Sequence, residues 1–271
     1  MKLVVLVDNN TLIDHYYLGE PGVCYYIEDE GQRLLLDVGY SDIFIKNAKL
    51  MGIDLTTVST IAISHGHNDH TRGLQFLAKE MDLKMVNLVA HPDAFKTKIF
   101  ENESIGSPFD ESQLQTMCSL QLSKTPIKIS PNITFLGEIP SSNDFEHRQH
   151  FGCIVDPCHH EMDVDYVLDD SALVYQSRTG LFIITGCSHS GICNIVEYAK
   201  QVCNETKVVG IIGGFHLFER SKQLSHTVEY FVKNEIRQLY PCHCVSFIAK
   251  SEINQAIPVH EVGVSLTLEI D

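Results

Sequence analysis

Short apolar runs, separated by Gly, Asp or Asn, dominate the first part of the chain. The runs cover residues 3–7, 23–27, 34–36, 60–63 and 86–90. Their length and punctuation predict β-strands, whereas apolar residues at helical spacing predict helices over residues 41–51 and 71–80. Two of the strands lead directly into polar residues, at Asp37 and at residues 64–70. The pattern therefore predicts strand ends that present polar loops.

A regular alternation of strands and helices follows residue 169. Strand-like runs cover residues 172–176, 181–185, 208–212 and 237–240, and helical patterns cover residues 192–202 and 224–234. A β-α-β-α-β order predicts parallel strands, whose carboxyl ends meet at one edge of a sheet. His189, His216 and His243 each follow one of these strands. We therefore expect the three histidines at the same sheet edge.

The stretch of about residues 100–168 is less regular and contains five prolines. We predict that it forms strands and loops inserted over one face, as a cover for a site. His159 and His160 lie in this stretch and fit a solvated loop better than a site. The two strand-rich halves, each closed by helices, predict a single α/β domain over residues 1–271, built as a sandwich of two mixed sheets with helices outside.

Charge and composition narrow the classes of function. The 271 residues contain 20 Lys and Arg against 35 Asp and Glu, a net charge of −15, which opposes binding to nucleic acid. No apolar run reaches the roughly 20 residues of a membrane helix, and the first apolar run is too short for a signal peptide. Nine cysteines, an odd number, favour reduced thiols. We expect a cytoplasmic protein with a small-molecule substrate and no nucleic-acid or membrane partner; nothing in the sequence predicts an oligomeric state.

Four potential metal ligands lie within six residues directly after an apolar strand. The segment reads Ser64-His65-Gly66-His67-Asn68-Asp69-His70. Its glycine lets the loop curl, so that His65 and His67 can face one metal ion while Asp69 and His70 face another. Imidazole and carboxylate ligands suit Zn²⁺, and also Fe or Mn, at a site that keeps a coordination position open. A His-rich surface turn is the alternative, but the strand before the segment and the helix after it favour a metal site.

This segment, followed by Thr71-Arg72-Gly73-Leu74, resembles the signature of the metallo-β-lactamase superfamily. The resemblance implies an αβ/βα fold of four layers, with a usually dinuclear metal site at the shared edge of two β-sheets. Two zinc ions are therefore expected. The strand that ends at Asp37 is similar to the first motif of the superfamily. This similarity implies that Asp37 holds a ligand histidine in one tautomer.

Other segments resemble a branch of the superfamily named for 7,8-dihydropterin-6-methyl-4-(β-D-ribofuranosyl)aminobenzene 5′-phosphate synthase. They are Asp8-Asn9, residues 43–52, Ala90-His91-Pro92, residues 137–140, residues 186–192, residues 212–217 and residues 240–244. The chain departs from that branch at residues 21–24, at Asn68, Arg72 and Ser141, and at Val245-Ser246. The metal-ligand pattern survives these departures, whereas some residues that would touch the substrate differ.

The remaining metal ligands are expected among the later histidines. In most of the superfamily a third His completes one metal position, an Asp bridges both, and a last His completes the other. Cys187 stands here where the bridging Asp would lie. His189 and His243 are the first choices as ligands, and His216 is a further candidate ligand or an acid/base group beside the metals. Cys187, Cys242 and Cys244 are expected as small core residues, with thiolate ligation as the alternative.

The resemblance implies a metal-dependent hydrolase or synthase that acts on a small, phosphorylated or pterin-like molecule. A metal-bound hydroxide would attack an ester, lactone, thioester or phosphoester, and Asp69 would accept its proton. The branch name implies a synthase that joins an aminobenzoate to a phosphoribosyl donor and a pterin. The alternatives are a lactonase, thioesterase or phosphodiesterase, and a non-catalytic protein that binds metal or senses a ligand. Di-iron redox chemistry is disfavoured because His67 stands where those enzymes carry a carboxylate, and RNA processing is disfavoured by the negative charge.

Overall fold

The computed structural model describes residues 1–155 and 162–271, so the expectation for His159 and His160 lies outside the described residues. The strands are β1 (Lys2–Val7), β2 (Cys24–Asp29), β3 (Gln32–Leu36), β4 (Thr60–Ala62), β5 (Asn87–Ala90), β6 (Thr97–Phe100), β7 (Glu103–Ser104), β8 (Ser119–Leu122), β9 (Ile127–Lys128), β10 (Ile133–Phe135), β11 (Cys153–Val155), β12 (Met162–Val164), β13 (Ala172–Ser177), β14 (Gly180–Thr185), β15 (Val208–Gly213), β16 (Gln238–Pro241) and β17 (Thr267–Glu269). The helices are α1 (Ile43–Leu50), α2 (Asn68–Thr71), α3 (Leu74–Glu80), α4 (Glu111–Met117), α5 (Ile192–Cys203), α6 (Lys222–Lys233) and α7 (Phe247–Ala256), with a short 3-10 helix at Leu55–Thr57.

Two mixed β-sheets form the centre of the fold. The first has seven strands in the order β17-β1-β2-β3-β4-β5-β8, and the second has six in the order β16-β15-β14-β13-β10-β9. Strands β3, β4, β5 and β8 run parallel to one another. Strands β14, β15 and β16 are also parallel, which confirms the order predicted from the alternating pattern. In each sheet the parallel strands therefore deliver the loops at their carboxyl ends to one edge.

The alternation of side chains along each strand builds four layers. In β1, Leu3 and Val5 join an apolar cluster between the two sheets, whereas Val4 and Leu6 pack toward α1 and α3 on the outer face. Strand β14 does the same, because Phe182 points between the sheets and its neighbours pack against α5, α6 and α7. The result is the predicted arrangement of helices, sheet, sheet and helices.

The segment of about residues 100–168 is more integrated than the sequence predicts. It contributes β8 to the seven-stranded sheet and β9 and β10 to the six-stranded sheet. Among the described residues of this segment, only β7, β11 and β12 pair outside these sheets. They join β6 in a small antiparallel sheet of the order β12-β11-β6-β7. The expectation of an insertion over one face therefore applies to this small sheet, and not to the whole segment.

The differences between predicted and observed helices have local causes. The sequence pattern does not predict helix α4, because the helix is seven residues long and buries little besides Leu114. Asp110 and Gln113 nevertheless form a capping box at its start. The helix predicted over residues 71–80 is divided into α2 and α3 at Gly73, where an added Cβ would overlap the carbonyl oxygen of Val38. Among the described residues, no helix is long and apolar enough to cross a membrane.

Candidate metal centre

The loop after β4 carries the histidine cluster and is packed closely against its surroundings. A Cβ at Gly66 would overlap the backbone oxygen of Ala94, so only glycine fits at this position. The backbone N–H of Gly66 donates to Asp169 Oδ2 at 2.7 Å. Asp169 in turn accepts from the buried ammonium of Lys98 at 2.9 Å, and Lys98 also donates to Asp165. A buried charge network therefore holds the loop that presents the histidines.

Asp37 orients the histidine loop through three hydrogen bonds. It is fully buried directly after β3, with a left-handed φ of 58°. Its Oδ1 accepts from the backbone N–H of Ser64 at 2.7 Å, and its Oδ2 accepts from the Ser64 hydroxyl at 2.7 Å. Oδ2 also lies 2.7 Å from His70 Nδ1. Since an ionised carboxylate only accepts, His70 carries its proton on Nδ1 and presents the Nε2 lone pair to the cleft.

The same reasoning assigns the tautomer of His65. The single hydroxyl proton of Ser64 goes to Asp37, so Ser64 Oγ must accept from His65 Nδ1, which lies 3.0 Å away. His65 therefore also presents Nε2 to the cleft. One carboxylate orients His70 directly and His65 through Ser64, an arrangement in which an outer carboxylate orients two metal-binding imidazoles.

Two sets of three side chains lie side by side. Within each set, the potential ligand atoms lie within 4.8 Å of one another. The first set contains His65, His67 and His189, and the second contains Asp69, His70 and His243. His65 Nε2 and His67 Nδ1 are 3.0 Å apart. The centroid of the His189 ring lies 4.9 Å from that of His65 and 5.0 Å from that of His67. In the second set, Asp69 Oδ2 is 3.6 Å from His70 Nε2 and 3.4 Å from His243 Nε2.

His243 reaches the second set because the N-terminal strand supports it. It has a left-handed φ of 51° after β16, and its backbone N–H donates to Asp8 Oδ1 at 3.0 Å. Its Nδ1 lies 3.1 Å from Asn9 Oδ1, so Nδ1 donates and Nε2 faces Asp69. Asp8 and Asn9 fit the family pattern in the sequence, but nothing in the sequence indicated that they support a ligand.

His216 lies beside these sets and belongs to neither of them. It has a left-handed φ of 50° after β15, and its ring lies 4.4 Å from that of His189. It lines the same cleft as the two sets. The three strand-end histidines are therefore together at one edge, and the geometry groups His189 and His243 with the motif residues while it leaves His216 as a neighbour.

The cysteines do not all lie in the core, contrary to expectation. Cys242 is buried between the sheets, with its sulfur 3.1 Å from the Tyr25 hydroxyl. Cys187 and Cys244 instead line the cleft, and Cys187 Sγ is 3.3 Å from His70 Nε2. The prediction of a buried position is confirmed for Cys242 and Cys187 and is wrong for Cys244, which is only partly buried. The turns after β14 and β16 direct the side chains of Cys187 and Cys244 toward the cleft.

The electrostatics of the two sets differ. Burial lowers the pKa of His67 to about 4 and holds the pKa values of His65 and His189 well below their usual range. Burial also acts to lower the pKa of His70, but Asp69 and Asp37 outweigh it and raise that pKa. Burial acts to raise the pKa of Asp69, and His70 and His243 reverse that effect and lower it. The low pKa values keep the first set neutral at pH 7, the form that binds metal, whereas the carboxylates around His70 favour a proton that a metal ion would displace.

Three observations indicate that these residues can bind metal ions. A zinc ion with Zn–N distances of about 2.0–2.1 Å brings its ligand nitrogens to within roughly 3.3 Å of each other, close to the His65–His67 separation. His189 Nε2 is buried and has no hydrogen-bond partner among the described residues. Buried polar atoms without partners are costly, and a bound ion at the site would remove that cost. The donors are imidazole nitrogens and a carboxylate, which zinc, iron and manganese all accept.

The cleft above the ligands has a volume of about 600 Å³ and aromatic walls. Phe100 and Phe151 stack with their ring centroids 4.8 Å apart, and the ring of Phe151 lies 5.2 Å from that of His67. Tyr40 and Phe218 line the other sides. Since Phe100 ends β6 and Phe151 precedes β11, the small third sheet supplies one wall of the cleft.

Comparisons with known proteins agree with this geometry. A family model described as the Metallo-beta-lactamase superfamily matches residues 17–108. The uncharacterized protein MJ0448 of Methanocaldococcus jannaschii is 33% identical over 241 residues, which cover 88% of each chain. The chain belongs to the metallo-β-lactamase superfamily. The crystal structure of Tm1679, described as a metal-dependent hydrolase of this superfamily, matches with a TM-score of 0.84 and 27% identity, over 100% of this chain and 99% of that one.

A second relative in the superfamily carries a named activity. The 7,8-dihydropterin-6-methyl-4-(β-D-ribofuranosyl)-aminobenzene-5′-phosphate synthase of Methanocaldococcus jannaschii is 28% identical over 258 residues, covering 90% of this chain and 87% of the relative. The fold and the superfamily predicted from the sequence are therefore confirmed, together with the resemblance to this branch.

We expect Asp37→Asn to lower metal affinity about 10- to 100-fold, the usual effect of losing an outer partner of a metal-binding imidazole. If the amide oxygen of the variant replaces Oδ2 and accepts from Ser64 Oγ and His70 Nδ1, its NH₂ group must face the backbone N–H of Ser64, which donates to Oδ1 in the unaltered protein; if the amide is reversed, the NH₂ group faces His70 Nδ1 instead. Competition with a chromogenic zinc chelator measures the affinity. Asp42→Asn is the control, because Asp42 is partly exposed and pairs with Lys46 away from the cleft. Unchanged affinity in Asp37→Asn would contradict the orienting role.

Proposed function

We propose that this superfamily member is an enzyme that uses two zinc ions to cleave an ester or phosphoester bond of a small molecule. One observation carries the proposal: two sets of three ligand groups lie side by side at the base of one cleft. Zinc in such a site supplies Lewis acidity and lowers the pKa of water that it binds. The first position is held by His65, His67 and His189, and the second by Asp69, His70 and His243.

Asp69 has a second role in this proposal, as the proton acceptor. Its carboxylate is partly exposed in the cleft, whereas the imidazoles of His65 and His70 are fully buried. A carboxylate that binds through one oxygen keeps the other free to accept a proton from a water molecule above it. The lowered pKa of Asp69 keeps its carboxylate ionised at neutral pH, the form that can accept a proton.

His216 is placed to exchange a proton with the reacting groups in the cleft. It lines the cleft next to His189. Burial lowers the pKa of His216, and the nearby His243 lowers it further. An imidazole beside the reacting atoms, but not occupied by a metal ion, can give or take a proton in the transition state. His216 is therefore proposed as an acid/base group, and His243 as a ligand.

Alanine variants of His216 and His243 separate these two roles. We expect His216→Ala to keep its metal content and to lose turnover about 100-fold, a loss typical of removing an acid/base group. His243→Ala is expected to lose metal from the second position. Elemental mass spectrometry of the two purified variants, side by side, measures the metal content. Metal loss in His216→Ala with retention in His243→Ala would reverse the assignment.

The cleft favours a substrate with a flat ring. Its walls include the aromatic rings of Phe100, Phe151, Tyr40 and Phe218, against which a flat ring can pack. None of the described residues that line it is Lys or Arg, so the metal ions would provide the positive charge for a phosphate. The named relative is the synthase of a molecule that contains a dihydropterin and a ribofuranosyl-aminobenzene phosphate, and both features of the cleft suit such a molecule. A synthase reaction of that kind is therefore the second candidate.

The test begins with the metal content of protein purified without added metal. We expect close to two zinc ions per chain by elemental mass spectrometry. The same sample is then screened with phosphodiester, phosphomonoester, lactone and thioester substrates, and with a dihydropterin together with a ribofuranosyl-aminobenzene phosphate. Hydrolysis of the esters alone favours the first candidate, and product from the paired substrates favours the synthase. Protein without metal, even after incubation with zinc, would refute both.

A further inference from the structure

A buried lysine joins the small third sheet to the histidine loop. Lys98 lies in β6, and its side chain has no exposed surface. Its ammonium donates to Asp165 Oδ2 at 2.6 Å and to Asp169 Oδ1 at 2.9 Å, and both carboxylates are also buried. Burial acts to lower the pKa of Lys98, but Asp169 and Asp165 outweigh it and raise that pKa. Lysine is rarely buried without such partners, so the two carboxylates fix the position of this ammonium.

Two backbone hydrogen bonds hold His67 from either side. The N–H of Gly66 donates to Asp169 Oδ2 at 2.7 Å, and the N–H of Asn68 donates to the carbonyl oxygen of Ile105 at 2.7 Å. His67 lies between these two attachments and is buried. Because the residue on each side of it is tied down, the direction of the His67 imidazole depends on both attachments.

Both attachments lead to Lys98. Asp169, which holds Gly66, is paired with the Lys98 ammonium. Ile105, which holds Asn68, follows β7 directly, and its N–H donates to the Lys98 carbonyl oxygen at 3.0 Å. Lys98 therefore contributes its side chain to one attachment and its backbone to the other.

The same lysine is linked to the aromatic wall of the cleft. Phe100 follows Lys98 in β6 on the same strand, and its ring stacks with that of Phe151 at a centroid distance of 4.8 Å. The backbone N–H of Phe151 donates to the carbonyl oxygen of Asp165 at 2.8 Å, and the Asp165 carboxylate pairs with Lys98. The ring of Phe151 in turn lies 5.2 Å from that of His67. The wall, the lysine and the histidine loop therefore form one connected unit.

We propose that Lys98 is a positioning residue for His67, and that it couples metal binding in the first position to the order of the aromatic wall. This inference rests on the proposed function, because it requires a metal ion held by His65, His67 and His189. A metal ion that fixes His67 also fixes the backbone on either side of it, and through that backbone the contacts to the third sheet. Since coupling between two sites is reciprocal, a wall held in place raises the affinity of the first position for metal.

Hydrogen exchange of the full-length protein, followed by mass spectrometry, tests the coupling without any substrate. The metal-free and the zinc-loaded forms are compared. We expect zinc to slow the exchange of backbone amides in residues 97–106 and 151–155, which carry the wall, as well as in the histidine loop. The expected slowing in the wall is about 5- to 150-fold, the usual size of a coupling between two sites.

Lys98→Met tests the positioning role, because methionine fills a similar space without the ammonium. We expect this variant to lose most of the zinc-dependent slowing in the wall, and to bind zinc about tenfold more weakly, as when an outer partner of a metal ligand is lost. Competition with a chromogenic zinc chelator measures the affinity. Lys96→Met is the matched control, since Lys96 is 51% exposed and pairs with Asp93 outside the network. The control is expected to keep both the slowing and the affinity.

The outcomes separate the inference from the function on which it rests. Zinc bound at full occupancy, without slowing in the wall of the unaltered protein, would overturn the coupling. In Lys98→Met, slowing and zinc affinity equal to those of the unaltered protein would overturn the positioning role. A lower unfolding temperature of that variant would not rescue it, because it would leave Lys98 with a structural role only. Failure of the unaltered protein to bind zinc would instead count against the proposed function itself.

A second variant keeps the test decisive if Lys98→Met does not fold. That change leaves two buried carboxylates without their partner, which is strongly destabilising. The triple variant Lys98→Met, Asp165→Asn, Asp169→Asn removes the three buried charges together, so no charge is left unpaired. We expect it to fold and to lose most of the zinc-dependent slowing in residues 97–106. Slowing in the triple variant equal to that of the unaltered protein would overturn the inference.

Discussion

Replacing His67 with alanine is expected to lower the metal content from two ions per chain to one, and to reduce turnover at least about 1,000-fold. A metal ion that acts as a Lewis acid contributes several kcal/mol to transition-state stabilisation, and each 1.4 kcal/mol corresponds to a factor of ten. His67 shares the first position with His65 and His189, so its loss leaves only two protein ligands there. Elemental mass spectrometry and turnover of an ester found in the screen measure the two effects.

His15→Ala is the matched control for this prediction. His15 is exposed and contacts Ser265, and it is not among the residues that line the cleft. We expect this variant to keep both metal ions and full turnover. Thermal unfolding of the two metal-free variants shows whether either change disturbs the fold. Full metal content in His67→Ala would remove that residue from the ligand set.

Asp69→Asn is expected to reduce turnover by about 10²- to 10⁴-fold with little change in the stability of the metal-free protein. General base catalysis contributes a factor of this size, and an amide cannot take up a proton at neutral pH. The side chain of Asp69 is 28% exposed, so the amide remains partly hydrated and no large burial cost arises. Steady-state kinetics at saturating zinc measures the loss, because saturation compensates for weaker metal binding.

Asp93→Asn is the control for Asp69→Asn. Asp93 pairs with Lys96 outside the two ligand sets, and its side chain is 15% exposed. We expect it to retain full turnover. The stability of each variant follows from urea unfolding of the metal-free form. Turnover in Asp69→Asn within a factor of two or three of the unaltered protein, at full metal content, would exclude Asp69 as the proton acceptor.

The order of the strands was predictable because each element has a strong local signal. The parallel strands β14, β15 and β16 follow from apolar runs that alternate with amphipathic helices. Helix α4 and strand β17 were missed, since α4 is short and buries little and β17 is a three-residue edge strand. The role of β8 as an edge of the seven-stranded sheet was also missed, because pairing with β5 depends on residues more than thirty positions earlier.

The candidate site also combines features that the sequence predicted with features that only the tertiary contacts reveal. Four side chains of the cluster at residues 65–70 come together because they are close in sequence and follow one strand. The orienting role of Asp37 was expected from a motif, but the link through Ser64 to His65 is visible only in the contacts. The support of His243 by Asn9 joins residues 234 positions apart, and no local pattern contains that information.

The sequence by itself determined the fold class, the parallel order of the strands and the position of the histidine loop, because these depend on periodicity and on residues close together in the chain. The tertiary structure alone decided how the later residues are used. It grouped His189 and His243 with the loop, left His216 beside them, and placed the buried Cys187 next to His70. The physical reason is that these positions depend on backbone turns and on packing between strands from distant parts of the chain.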